Sequence, residues 1–413
     1  MRTVPIQSSN EIDARVSEII ENVRLRGDEA LKEYTRAFDG ADIADFAVSR
    51  TEIDEAWEAV GDKLRTLLTR AAQNIRDFHA HQKREGFVVS EKPGITLGQR
   101  VIPLKRAGIY VPGGTASYPS TVLMNGIPPA IAGVGQVVMV TPPGKDGKIA
   151  PAILAAARAA GVDTIFKAGG AQAIAALAYG TKSIPRVDKI VGPGNAYVAT
   201  AKRKVYGLVD IDMVAGPSEI LIIAEGDTNV DRVAADLLSQ AEHDALSSAI
   251  LITTSESLAN AVRDRVEARL DGLLRRDIAR RSIDGNGRII IVESLDEAFE
   301  IANEIAPEHL EICLEEPFNY LGRVRNAGSV FLGDNAPEAL GDYWAGLNHT
   351  LPTSGTARFS SPLSVDDFVK KSQFVYYSRD ALGEAADDII AFAETEGLTG
   401  HAQSVAARFG GNV

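Results

Sequence analysis

Residues 164–180, TIFKAGGAQAIAALAYG, followed by KIVGPGN at 189–195, decide the fold. A short apolar run, a glycine pair, an alanine-rich helical stretch and a second apolar run make one strand–helix–strand unit. The spacing recurs on both sides. Upstream lies the run 137–140; downstream come 220–224, 249–253, 288–292, 310–314 and 329–332, with helical stretches such as 230–242 and 258–270 between them. Alternation of this kind predicts parallel sheets, here two incomplete Rossmann-like α/β modules, with ligands held in the loops beyond the strands. Residues 9–82 read as helices: Ser9 or Asn10 caps 11–26, Gly27-Asp28 restarts the helix, and 51–81 is one long amphipathic helix. From Ser364 the chain turns helical again and is expected to be a tail rather than another sheet. The expected divisions are a helical region 1–105, α/β modules 106–218 and 219–361, and a helical tail 362–413.

Composition narrows the function. A formal charge of -13 over 413 residues, with no Lys/Arg run, repels phosphate backbones and excludes nucleic acid as a partner. The first nine residues lack a signal-peptide core, and no stretch reaches the ~18 apolar residues of a membrane span, so a cytoplasmic protein is expected. The single cysteine, Cys313, excludes an intrachain disulfide and a multi-cysteine zinc cage. Any metal must use His, Asp, Glu or Gln.

Three glycine-rich segments follow or approach apolar runs: 110–114 (YVPGG), 168–172 (AGGAQ) and 191–197 (VGPGNAY). Their free amides suit phosphate. None completes the G-x-G-x-x-G fingerprint, since Ala196 and Tyr197 stand where its last glycine would fall. Gln172 and Asn195 add amide side chains able to bond a ribose or carboxamide. Four of the six histidines lie in acid- or amide-rich clusters: His243 with Gln240, His309 with Glu308, His349 with Asp342, and His401 with Glu396. Gln240 and His243, three apart on an expected helix, share one face. Asp342, on a Gly-Asp turn, supplies charge, and His401 another nitrogen; imidazole plus carboxylate favours zinc over calcium or magnesium. Glu308 and His309 pair a carboxylate with a near-neutral base, facing opposite ways in extended chain. Cys313 falls inside a strand and reads as packing.

With these segments in hand, the chain closely resembles the histidinol dehydrogenase family, nearly end to end. The matching segments are 26–31 (RGDEAL), 110–114, 120–124 (STVLM), 169–178, 187–195, 211–219 (IDMVAGPSE), 237–243 (LLSQAEH), 306–310 (APEHL), 327–334 (AGSVFLGD), Gly341-Asp342, 348–353 (NHTLPT) and 398–401 (LTGH). Departures are few: a shorter amino terminus than in some members, Asp210 before 211–213, and the bulky Tyr343-Trp344 after Asp342.

The resemblance implies a cytoplasmic, NAD-dependent enzyme with one zinc per subunit, oxidising L-histidinol through the aldehyde to L-histidine at the end of histidine biosynthesis. It implies an intertwined homodimer with shared sites. Zinc would be held by Gln240, His243, Asp342 and, from the partner chain, His401. NAD would touch Tyr110, Gln172 and Asn195; substrate would touch Ser218, Gln240, His243, His309, Asp342, Glu396 and His401. Glu308 and His309 would be the acid-base pair, His309 taking the hydroxyl proton and Glu308 activating water. Rival readings are a zinc/NAD dehydrogenase of another small alcohol on the same scaffold, a zinc hydrolase that leaves the glycine loops idle, and a structural zinc that leaves Glu308 and His309 without a task.

Overall fold

The computed structural model describes residues 10–113 and 118–410, so Ser9 as a cap and Gly114 of the first glycine loop lie outside the described residues. The chain divides into two units, one of Met1–Gln82 with Leu104–Phe368 and one of Lys83–Pro103 with Val369–Val413. The larger unit opens with α1 (Asn10–Arg26), α2 (Asp28–Asp39), α3 (Arg50–Ala59) and α4 (Gly61–Ala80). Ser49 and Glu52 form a reciprocal capping box that starts α3. Gly61, at φ 73°, breaks the expected long helix into α3 and α4, because a left-handed residue ends one helix and re-aims the next.

Two strands of the smaller unit follow, β1 (Phe87–Val89) and β2 (Ile95–Pro103). The chain then builds its first parallel sheet from β3 (Arg106–Tyr110), β4 (Gln136–Thr141), β5 (Thr164–Lys167), β6 (Lys189–Val191) and β7 (Asp210–Ile211). Helices α5 (Pro119–Ala132), α6 (Pro151–Ala160), α7 (Gly170–Tyr179) and α8 (Ala196–Val205) make the crossovers. Strand order is β5-β4-β3-β6-β7. On one face, α1, α7 and α8 bury Val16, Ile19, Leu177 and Val198 with Val138 and Val140 of β4. On the other, α3 to α6 bury Ile53, Leu68, Ile127 and Leu154 with Ile109 and Met139. Each such side chain contributes about 1.5–3 kcal/mol when fully withdrawn from water. The alanines of α7, buried along nearly its whole length, let the helix lie close to the sheet.

A second parallel sheet repeats the plan with β8 (Glu219–Ala224), β9 (Ser248–Thr253), β10 (Arg288–Ile291), β11 (His309–Cys313) and β12 (Ser329–Leu332), in the order β10-β9-β8-β11-β12. Its helices are α9 (Val230–Ala241), α10 (Glu256–Leu270), α11 (Arg276–Asn286), α12 (Leu295–Ile305) and the short α13 (Glu338–Tyr343). In both sheets the first strand is central and the chain winds outward in both directions. Each therefore has a switch point, β3/β6 and β8/β11. The two expected α/β modules are present.

In the smaller unit the C-terminal segment is helical from Arg379 onward, as expected, but a strand precedes its helices, which corrects the expectation that the tail joins no sheet. Residues 369–377 form β13 (Val369–Tyr377), antiparallel to β2 from Val369↔Pro103 to Tyr377↔Ile95, and β1 pairs with the other edge of β2. These strands escaped the sequence reading because β13 is exposed along almost its whole length, so neither face imposes the alternation that marks a half-buried strand. Helices α14 (Arg379–Thr395) and α15 (Thr399–Ala406) complete the unit. Its buried apolar residues are alanines: Ala381, Ala386, Ala393, Ala402 and Ala406. Among the described residues, no helix is long and apolar enough to cross a membrane.

Candidate active site

A cavity of about 380 Å³ opens where the carboxyl ends of the first sheet meet the amino ends of the second. The first sheet contributes backbone: Pro112 and Gly113 after β3, Gly192 to Asn195 after β6, and Asp212 to Ser218 after β7, of which Asp212, Met213, Ala215, Gly216 and Ser218 line it. The second contributes Gln240, His243, Glu308, His309, Asp342 and His349. The latter residues sit at the amino edge, not in the loops beyond the strands as expected. Helix α9 returns from the carboxyl end of β8 to the amino end of β9, so its last turn delivers Gln240 there. His309 is the first residue of β11.

The glycine loop after β6 is held from within. Gly192 (φ 113°) donates its N–H to Asp212 Oδ2 at 2.8 Å, and its carbonyl accepts from Lys202 Nζ at 2.9 Å. Lys202 and Asp212 also pair with each other, their side chains 2% and 1% exposed. A Cβ on Gly192 would lie 2.1 Å from the Tyr110 carbonyl oxygen, so only glycine fits. Asn195 caps α8, its Oδ1 accepting from Tyr197 N at 3.0 Å and Val198 N at 3.2 Å, and the residue lines the cavity. Tyr110 and Gln172 lie behind this wall and do not line the cavity. The Tyr110 hydroxyl accepts from Gly170 N at 3.1 Å, and burial pushes its phenol up to about 12. Gln172 is buried, with Oε1 lacking a polar partner.

His309 Nδ1 lies 2.9 Å from the Glu219 carbonyl, an acceptor, and 3.0 Å from Gln240 Nε2, a donor, and can pair with only one of them at a time; when it donates to the carbonyl, Nδ1 carries the hydrogen. Nε2 then keeps the lone pair, buried and without a hydrogen-bond partner, 3.9 Å from Asp342 Oδ1. Burial lowers the affinity of this imidazole for a second proton. Glu308 accepts from Glu219 N at 2.9 Å and lies 3.7 Å from His309 Nδ1. Glu308 precedes β11 rather than extending it, so the two side chains approach each other instead of facing apart. Burial drives the Glu308 carboxyl well above the usual carboxylate range.

His243, Glu338 and Asp342 bring ligand atoms within 4.8 Å of one another. Gln240 lines the same cavity with a buried Oε1 that has no polar partner. Two carboxylates, an imidazole and an unsatisfied amide oxygen form a donor set that fits zinc. Two local expectations change. His243 is not on α9, which ends at Ala241; its N–H reaches back to the Gln240 carbonyl at 3.2 Å in a turn, keeping both side chains at one place. Asp342 lies on the helix α13 rather than on a turn. Burial, with Glu338 alongside, pushes the Asp342 carboxyl up to about 8.

Glu338 was missed by sequence reasoning, although its spacing of four from Asp342 on a helix was an available signal. His349 was named only as the end of a cluster. Burial lowers it to about 4, and it stands 3.9 Å from Asp342 Oδ1. Glu396 and His401 belong to the smaller unit, both exposed, at the end of α14 and on α15. Cys313 is buried and its thiol is raised by burial, so it offers no thiolate.

The histidinol dehydrogenase family profile matches residues 3–409. The chain belongs to the histidinol dehydrogenase family. It is 53% identical over 399 residues to the histidinol dehydrogenase of Clostridium acetobutylicum, covering 97% of this chain and 93% of that one. With the Bacillus cereus histidinol dehydrogenase it shares 56% identity over 398 residues, 96% of this chain and 92% of the relative. The crystal structure of the Elizabethkingia anophelis histidinol dehydrogenase superposes with a TM-score of 0.93 at 42% identity, covering 98% of this chain and 94% of that chain. Family membership makes this an oxidoreductase of amino-acid biosynthesis and leaves the hydrolase reading without support.

Proposed function

We propose that this chain oxidises L-histidinol through L-histidinal to L-histidine, using NAD and one zinc per subunit, as an intertwined homodimer in the cytoplasm. The observation that carries the reading is the lone pair on His309 Nε2, buried without a partner beside Asp342 and the His243 cluster. A dehydrogenase needs a neutral base at the hydroxyl, and an imidazole kept neutral by burial is one at physiological pH.

Gln240, His243, Asp342 and His401 of the partner subunit would hold the zinc, with Glu338 beside Asp342. The metal would anchor the nitrogens of the substrate, and NAD, touching Tyr110, Gln172 and Asn195, would accept hydride. Ser218, Gln240, His243, His309, Asp342, Glu396 and His401 would touch the substrate. His309 takes the hydroxyl proton at Nε2; the charge gained lies 3.7 Å from Glu308, whose carboxyl can release its own proton in response. Glu308 as carboxylate then draws a proton from the water that hydrates the aldehyde, and the hydrate would give its hydride to a second NAD, leaving the carboxylate. No thiol adduct is needed.

The dimer is supported by the smaller unit. Phe87, Val88, Val375 and Tyr376 are each more than half exposed, and among the described residues of the unit no large apolar side chain is buried. A sheet without a core is marginal in water until another surface covers it. Absorbance at 340 nm with L-histidinol and NAD tests the whole reading. Two NADH per substrate, lost on chelation and restored by zinc, is the expected result; one NADH, or indifference to a chelator, refutes it.

A further inference from the structure

The three site elements α9, α13 and β11 converge on two carboxyls, Asp236 and Glu311, that do not line the cavity. Glu311 is two residues after His309 on β11, hence on the same strand face, while Leu310 and Ile312 pack into the opposite core. Its side chain is buried, and Oε1 accepts from Glu338 N at 2.7 Å. That amide is the first of α13, whose N-cap, Pro337, offers no side-chain cap. Glu311 therefore caps α13 from across the sheet. The Glu311 carboxyl also faces that of Asp236, four residues before Gln240 and so on the same face of α9. Ser239 Oγ links α9 to α13, lying 2.9 Å from Glu338 Oε2 and 2.8 Å from the Asp236 carbonyl.

We infer that Asp236 and Glu311 are positioning residues, tying α9, α13 and β11 together so that Gln240, Asp342 and His309 converge on one metal-sized space. A helix of six residues has too few internal bonds to hold its own orientation. Fold stability alone does not explain the pair, since replacing buried polar partners with apolar groups of similar size is often neutral. The inference rests on the metal reading above.

The test is cobalt(II) binding to the full-length metal-free protein, followed by visible absorption and by competition with a chelator. Glu311→Gln keeps an oxygen for the Glu338 amide and offers N–H to Asp236, so it should bind like the parent. Glu311→Leu should bind about 10- to 100-fold more weakly, the scale for outer-shell partners, with a shifted visible band. Should Glu311→Leu fail to fold, Asp236→Ala decides, with weaker binding expected. Cobalt affinity unchanged in Glu311→Leu or Asp236→Ala, or Glu311→Gln as weak as Glu311→Leu, would overturn the positioning role while leaving the metal site standing. A parent that binds no cobalt would fell the metal reading and this inference with it.

Discussion

The two parallel sheets share one strand order yet meet the cavity in opposite ways. The first, β5-β4-β3-β6-β7, presents its carboxyl ends and mostly backbone: glycine loops, a capped helix start and a loop pinned by Lys202 and Asp212. The second, β10-β9-β8-β11-β12, presents its amino ends and titratable side chains, from Gln240 to Asp342. Backbone amides and glycines suit an extended, polar cofactor that must be approached closely. Imidazoles and carboxyls in a buried pocket suit proton transfer and metal binding. One architecture thus serves two tasks, divided by which end of the sheet faces the other.

If that division is real, substitutions in the two modules should fail differently. The largest effect is expected at His309. His309→Gln fills similar space without the free ring nitrogen, so kcat should fall roughly 10²- to 10⁴-fold while the melting temperature stays close to the parent's. Steady-state kinetics beside calorimetry would check this; loss of fold in step with activity would make His309 structural. Next comes Lys202→Met in the first module, which strands the Asp212 carboxylate in the interior. Such a broken pair costs about 3–5 kcal/mol. Denaturant unfolding should show that loss, together with a raised KM for NAD. A variant as stable as the parent would mean the glycine loop does not depend on the pair.

The modules also differed in how far sequence revealed them. Runs such as 220–224 are buried throughout as β8, and a strand covered on both faces must be apolar at every position. Their glycine-punctuated spacing gave the parallel sheets. β3 was not singled out because Arg106, Ala107 and Gly108 interrupt its apolar run, although it is the centre of its sheet. Glu308, His309 and Asp342 were legible from local chemistry, whereas Glu311 and Asp236 were not. Carboxyls that meet only after a sheet and a crossover have formed leave no local spacing to read. Strands β1 and β13 of the smaller unit were silent for the opposite reason: exposed on both faces, they carry no pattern.

A smaller effect is expected at Asn195, where cap and ligand contact coincide. Asn195→Ala removes the acceptor for two amides of α8 and should cost about 0.5–2 kcal/mol, whereas Asn195→Asp restores the cap. If both variants weaken NAD binding alike while only alanine lowers stability, the amide nitrogen meets the cofactor and the oxygen serves the helix. Equal stability in both would break the assignment of the oxygen.

An effect confined to a pH window concerns Asp39, at the end of α2, which lines a second cavity of about 610 Å³ that shares Pro112 and Gly113 with the first. Its Oδ2 has no hydrogen-bond partner, and burial pushes the carboxyl up to about 6 from an ordinary 3.8. A carboxyl whose folded pKa is raised favours the folded state only while protonated in both states. The relative stability it gives is complete below about pH 4 and is lost as pH rises through about 6. Asp39→Asn cannot ionise, so its melting temperature should match the parent's at pH 4, rise above it between pH 4 and 6, and keep a constant lead beyond. Melting curves across that window would show the separation. Parallel curves at every pH would mean that solvent reaches Asp39, and that the first module holds its loops without a buried charge at this edge.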